Sequence, residues 1–114
     1  MGVAAMENLL RHIPKDVPDE LIFTLAESDT VRIERIVSSG QSSPEGFWYD
    51  QEWDEFVLVV QGAAGLEIDG EPERTLKHGD WLVIPSHVRH RVTWTQADPP
   101  TVWLAVHHRP KVGA

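Results

Sequence analysis

From Leu21 onward, the chain is a succession of short segments rich in β-branched and aromatic residues, separated by Gly, Pro, Asp and Ser. This pattern is typical of β-strands joined by tight turns. The sequence predicts nine strands, at Leu21–Leu25, Val31–Val37, Phe47–Gln51, Glu55–Gln61, Gly65–Ile68, Arg74–Leu76, Trp81–Ile84, His90–Trp94 and Thr101–His107. Since no convincing helix lies between them, we expect an all-β sandwich or barrel.

The length of 114 residues predicts one domain, which we place at residues 21–114, with residues 1–20 as a short N-terminal extension that Pro14 and Pro18 keep from forming a long helix. Two predicted strands, at Phe56–Val60 and Trp81–Ile84, are apolar on both faces. A strand with one face in water alternates more cleanly, so we expect another sheet or a partner subunit to cover the outer face, and of the two we favour a homodimer.

The charge balance excludes several classes of partner. There are 18 Asp and Glu residues against 10 Lys and Arg, a formal net charge of −8, which argues against nucleic acid and anionic membranes as partners. The longest apolar run, Phe56–Val60, is far shorter than a membrane-spanning helix requires. With no Cys there is no disulfide and no thiol nucleophile. These features together lead us to expect a cytoplasmic domain.

The segment from Gly79 to His90 resembles the second motif of the cupins, written G-x5-P-x-G-x2-H-x3-N. Gly79, Pro85 and His90 stand at the spacings of that motif. His87 occupies the place of its second Gly, and Trp94 the place of its Asn.

Upstream, Glu55 and Gly62 match the E-x6-G half of the first cupin motif, G-x5-H-x-H-x3,4-E-x6-G. The two His of H-x-H are missing. Their positions hold Tyr49 and Gln51 if the gap is three residues, or Trp48 and Asp50 if it is four. The resemblance covers residues 36–108.

The resemblance implies a small antiparallel β-barrel or jelly roll whose interior holds a divalent metal ion. Of the usual ligands, Glu55 and His90 match outright, and Gln51 or Asp50 could replace one lost imidazole with an oxygen. An oxygen-rich ligand set favours Mn, Fe or Ni over Zn, although all four are candidates, and it also makes an empty or partly filled site an alternative. Tyr49 is the candidate catalytic group, as a proton donor or an orienting hydroxyl.

The chain holds five Trp, many for its length, and several lie within or beside these motifs. A narrow cavity lined by Trp and Tyr with a few polar groups is the expected form of a small-molecule site. We therefore expect four further residues to line the substrate pocket: Trp48, Asp50, His87 and Trp94. The strand register decides whether Tyr49 and Gln51 or Trp48 and Asp50 face inward. His107 and His108 end the last predicted strand, where one ring facing inward is an alternative but we expect a fraying tail.

Two functional hypotheses remain open. The first is a metal-dependent enzyme of the dioxygenase, isomerase or decarboxylase type, acting on a small oxygenated molecule. The second is a non-catalytic barrel with a degenerate metal site that binds a small organic ligand. Nucleotide-binding glycine loops and a G-x-S-x-G elbow are both missing from the sequence, so phosphate-loop and triad hydrolase chemistry have no support.

Overall fold

A computed structural model of the protein describes residues 4–111. Eight strands make up the fold: β1 (Leu21–Glu27), β2 (Val31–Ser38), β3 (Asp54–Gln61), β4 (Ala63–Ile68), β5 (Arg74–Lys77), β6 (Trp81–Ile84), β7 (His90–Thr95) and β8 (Thr101–His108). Residues 4–111 contain no helix, and so none long and apolar enough to cross a membrane. The all-β prediction is confirmed.

The strands form two antiparallel sheets. The larger sheet has the order β1-β2-β8-β3-β6, and the smaller has the order β5-β4-β7. The core between them is a cluster of buried apolar side chains from both sheets: Val57, Val59, Ala64, Leu66, Leu76, Ile84, Trp103 and Ala105. This arrangement follows from period-2 alternation, which turns one face of each strand toward the core.

The strand register places a row of polar residues across the larger sheet. On β8, His107 lies directly opposite Arg32 of β2 on one side and opposite Glu55 of β3 on the other. Directly opposite residues share one face of a sheet, so these three side chains emerge together. The same alternation brings Glu34 of β2 to that face, two residues from Arg32.

The segment before β1 lies along the larger sheet without becoming a strand. The Arg35 guanidinium donates hydrogen bonds to the carbonyl oxygens of Leu9 (3.2 Å) and Arg11 (2.9 Å). The Gln41 side chain donates to the carbonyl of Val17 at 2.7 Å.

The prediction of a strand at Phe47–Gln51 is wrong. Tyr49 alone pairs with His90, through reciprocal backbone hydrogen bonds of 2.7 and 3.1 Å. The pairing stops there because the Gln51 carbonyl accepts a hydrogen bond from the backbone N–H of His87 (2.7 Å), in the turn before β7, and not from a neighbouring strand.

The expected fraying tail is also wrong. His107 and His108 belong to β8, which is hydrogen-bonded to β2 on one side and to β3 on the other. A central strand has no free edge along which to fray, and His107 is consequently buried, with 6% of its surface exposed.

Candidate functional site

A cavity of about 180 Å³ lies where the inner face of the larger sheet meets β7 and the segment before β3. Its apolar wall includes Val57, Leu66, Ile84, Val92 and Trp103. Its polar residues come from six separate parts of the chain: Glu20, Arg32, Glu34, Tyr49, Gln51, Glu55, His90 and His107. A small concave space with convergent polar groups is the usual form of a ligand site.

One side of the cavity carries a chain of charged contacts. The Glu34 carboxylate accepts a hydrogen bond from Arg32 Nε (2.9 Å) through one oxygen and lies 3.0 Å from His107 Nε2 through the other. Both Glu34 and His107 are buried, whereas the side chain of Arg32 is 42% exposed. The three residues thus hold each other in fixed positions.

Glu55 and His90 are neighbours in the wall of the cavity. Glu55 Oε1 lies 3.5 Å from His90 Nε2, and its Oε2 lies 3.9 Å from His107 Nε2. His90 Nδ1 contacts the carbonyl oxygen of Val88 at 2.9 Å, which fixes the proton on Nδ1 in the neutral ring and leaves Nε2 to act as acceptor or ligand. Burial opposes charge on this imidazole, but the neighbouring Glu55 carboxylate and the Val88 carbonyl outweigh it and raise the pKa of His90.

Tyr49 and Gln51 complete the wall next to β7. The Tyr49 ring stacks on the His90 ring, with centroids 5.4 Å apart. Burial, together with the negative charges of Glu20 and Glu55, raises the pKa of the Tyr49 hydroxyl, so it stays protonated at neutral pH. Gln51 Oε1 is buried without a hydrogen-bond partner. Two residues apart on an extended chain, Tyr49 and Gln51 face the same way.

Glu20, at the end of the N-terminal segment, adds a third carboxylate. One of its oxygens accepts a hydrogen bond from the Ser38 hydroxyl at 3.2 Å. Burial and the charges of Glu55 and Glu34 raise the pKa of Glu20, even though the Ser38 bond lowers it. The pKa values of Glu20 and Tyr49 are thus raised mainly by burial, and the neighbouring carboxylates add to both shifts.

The donor chemistry of the cavity fits a divalent ion in part. Across residues 4–111, no three His, Asp or Glu side chains surround a common point as metal ligands do. An ion would therefore need a donor of another type beside Glu55 and His90, and the orphaned amide oxygen of Gln51 is such a donor. The Nδ1 contact of His90 with a backbone carbonyl is also the arrangement that orients metal-binding imidazoles.

Four residues expected in the pocket lie outside this cavity. Trp48 and Asp50 alternate with Tyr49 and Gln51 and face outward, where Asp50 Oδ1 contacts Nδ1 of the exposed His87 at 2.7 Å. Trp94 shares the parity of His90, but a β-bulge between its pairing and that of Val92 reverses the alternation. Trp94 is consequently 37% exposed.

Sequence reasoning missed five cavity residues: Glu20, Arg32, Glu34, Trp103 and His107. Alternation along β2 was the available signal, because Arg32, Glu34 and Ile36 share one face of the strand. This face of β2 is charged at one end and apolar at the other, whereas strand residues that face a core are usually apolar.

The fold and the cavity together define the class of protein, which is a small antiparallel β domain that encloses a polar site between two sheets. The model of the Cupin domain family matches residues 34–107, and the chain belongs to this family. No curated protein matches the chain.

Solved structures extend the comparison. The chain is similar to a candidate mannose-6-phosphate isomerase (Reut_A1446) from Ralstonia eutropha JMP134, with 49% identity over 94% of this chain and 100% of that one and a TM-score of 0.91. KdgF from Halomonas sp. is 25% identical over 85% and 87% of the two chains, with a TM-score of 0.66. A cupin superfamily protein (DSY2733) from Desulfitobacterium hafniense DCB-2 has 23% identity over 86% and 84%, with a TM-score of 0.72, and supports the fold alone.

Proposed function

We propose that this protein is a metal-dependent small cupin that acts on a small oxygenated molecule in the cavity described above. The observation that carries the proposal is Gln51 Oε1, a buried oxygen without a partner in the wall that Glu55 and His90 also form. A buried acceptor left unpaired costs about 1–3 kcal/mol, so a bound cation that takes up this oxygen would recover that cost.

Each residue has a role that follows from its surroundings. Glu55, His90 and Gln51 would hold Fe, Mn, Ni or Zn, and the bound ion would polarise a carbonyl or enolate oxygen. Tyr49, which is protonated at neutral pH, can donate a hydrogen bond or a proton to a substrate oxygen. The relative from Ralstonia eutropha carries the name of an isomerase, which favours proton-transfer chemistry over the dioxygenase and decarboxylase alternatives.

The alternative is a non-catalytic cupin that binds a small ligand without metal. The contact between Glu55 and His90 favours it, because a carboxylate that already lies 3.5 Å from an imidazole has less need of a cation. The missing H-x-H pair points the same way. In this case Gln51, Glu55 and His90 would hydrogen-bond the ligand directly.

Metal titration separates the two. We would prepare metal-free protein, add Fe(II), Mn(II), Ni(II) or Zn(II), and measure bound metal by elemental analysis and affinity by calorimetry. His90→Ala should lose the metal, whereas His87→Ala, which removes an exposed imidazole outside the cavity, should keep it. Gln51→His restores an imidazole at one H-x-H position and should tighten binding by tenfold or more.

If neither the wild type nor Gln51→His binds any of these ions, the metal proposal is wrong and the ligand-binding alternative stands. If His90→Ala binds as well as the wild type, the ion lies elsewhere and the assigned ligands are wrong.

We also propose that the protein forms a homodimer through the outer face of the larger sheet. Trp81 and Val83 of the edge strand β6 are 61% and 46% exposed, and Phe56 packs against Trp81 on the same face with ring centroids 5.3 Å apart. Exposed apolar clusters of this kind are typical of interfaces. Light scattering should give twice the monomer mass for the wild type and the monomer mass for Trp81→Glu.

A further inference from the structure

We infer that the cavity selects an uncharged polyhydroxy or hydroxycarbonyl compound and discriminates against its phosphate esters. The inference rests on the proposed function, in that it names the substrate class of the same site. It also separates this chain from what the name of its 49% identical relative suggests, since that name refers to a phosphorylated sugar.

The first argument is the charge of the wall. Three carboxylates, those of Glu20, Glu34 and Glu55, face the cavity. Among the described residues that line it, Arg32 is the one Lys or Arg side chain, and its Nε already donates to Glu34. Counting the carboxylates and the guanidinium alone, three against one, the wall has a formal excess of two negative charges.

That excess acts against an anionic ligand in both states of the site. Without a metal, a phosphate group would meet two uncompensated negative charges in a partly buried space, where charge repulsion is weakly screened. With a divalent cation the excess is only neutralised. Bidentate Arg contacts are the usual means of phosphate recognition, and the charge of the one guanidinium among the described lining residues is already offset by the Glu34 carboxylate that its Nε contacts.

The second argument is the set of hydrogen-bonding groups left unpaired. Trp103, which is 5% exposed and lines the cavity, has a buried indole N–H without an acceptor, and Gln51 has a buried oxygen without a donor. A hydroxyl group can both donate and accept, so a compound with several hydroxyls is suited to a cavity whose lining residues include both an unpaired donor and an unpaired acceptor.

The third argument is size and wall composition. A volume of about 180 Å³ is below the roughly 300–1,000 Å³ of pockets for drug-sized ligands, so the ligand is small. The apolar wall, which includes Val57, Leu66 and Val92, suits the C–H faces of such a molecule while the polar groups take its oxygens. A small, neutral, oxygen-rich compound satisfies all three constraints.

The test compares matched pairs of ligands on the same protein. Dihydroxyacetone is paired with dihydroxyacetone phosphate, and mannose with mannose 6-phosphate, and binding is measured by calorimetry and ligand-observed NMR on metal-free and metal-loaded protein. We expect the neutral member of at least one pair to bind tenfold or more tightly than its ester. Glu20→Gln removes one carboxylate that is not a proposed metal ligand, and it should lower the ratio of neutral-ligand to ester affinity by threefold or more. Glu73→Gln, on the exposed turn before β5, should leave the ratio unchanged.

An ester that binds as tightly as its neutral partner, or a failure of both neutral compounds to bind, overturns the inference. If Glu20→Gln and Glu73→Gln lower the ratio of neutral-ligand to ester affinity equally, the inference is also overturned. The preference for neutral ligands would then come from the overall charge of the protein. The metal titration is an independent test. If the protein binds metal but does not prefer the neutral ligands, the proposed function stands and the inference fails. If it prefers the neutral ligands but binds no metal, the inference stands and the metal proposal fails.

Discussion

Replacing Gly62 with Ala tests why the first cupin motif ends in glycine. Gly62 is the single residue between β3 and β4, and it has a φ of +83°. A Cβ at this position would lie 2.8 Å from Thr101 Oγ1 and 3.0 Å from the backbone Cα of Thr101. Thr101 cannot rotate away, because it is fully buried and its hydroxyl donates toward the carbonyls of Ala63 (3.1 Å) and Gln96 (2.9 Å).

Two costs add in Gly62→Ala. The left-handed backbone costs an L-residue about 1–2 kcal/mol, of which about 0.4–1 kcal/mol is offset by the smaller entropy of the unfolded Ala chain. Overpacking a rigid site adds about 1–3 kcal/mol. The free energy of unfolding should therefore fall by about 1–5 kcal/mol, a large share of the roughly 5–15 kcal/mol typical of a domain.

Gly70→Ala is the matched control, since Gly70 has a φ of +84° and no atom within 4 Å of the added Cβ. It carries the backbone cost alone. Urea unfolding followed by Trp fluorescence should place Gly62→Ala below Gly70→Ala by about 1–3 kcal/mol, which is the overpacking contribution. Equal losses in the two variants would refute the reasoning, because the contact with Thr101 would then contribute nothing.

Three further changes have definite expected outcomes. Because the pKa of Glu20 is raised on folding, its contribution to stability is complete below the pKa of the unfolded state and is lost as pH rises through the pKa of the folded state. Glu20→Gln should thus stabilise the fold at pH 7 and lose this advantage toward pH 4. A difference in urea midpoints between the variant and the wild type that does not change with pH would contradict this. Glu34→Ala leaves buried His107 without its carboxylate and should lower the free energy of unfolding by about 3 kcal/mol, with a smaller loss for Glu34→Gln. If urea unfolding gives equal losses for the two variants, the hydrogen bond to His107 is unimportant. His87 has a φ of 62°, so in His87→Gly the relief of backbone strain should offset the lost Asp50 contact and the free energy of unfolding should change by less than about 1 kcal/mol. His87→Val keeps the strain and should cost more than His87→Gly. A higher melting temperature for His87→Val than for His87→Gly would contradict this.

Much of the fold could be predicted from local pattern. Eight of the nine predicted strands are present, since β-branched runs bounded by turn residues reflect local preferences that the tertiary structure keeps. The motif spacing also identified Glu55 and His90 as a pair, and the structure places both in one cavity. His87 at the position of a motif glycine has the positive φ that such a glycine supplies.

Local pattern failed where one residue decided the direction of a side chain. Trp94 was expected in the pocket because it lies four residues after His90, but the bulge in β7 turns it outward. A bulge adds one residue to one strand of a pair, and nothing in His90–Trp94 distinguishes that extra residue. The segment at Tyr49 and Gln51 posed the same problem, since its inward pair depended on register.

The missed part of the site depends on pairing between strands that are far apart in the sequence. Glu34 and His107 are separated by 73 residues, and they meet because β8 lies between β2 and β3. A shift of one residue in the β2–β8 register would turn His107 away from Glu34, and the same shift against β3 would turn it away from Glu55. The order of strands in the sheet therefore creates this half of the cavity, and the motifs, which lie on β3 and before β7, carry information about the other half alone.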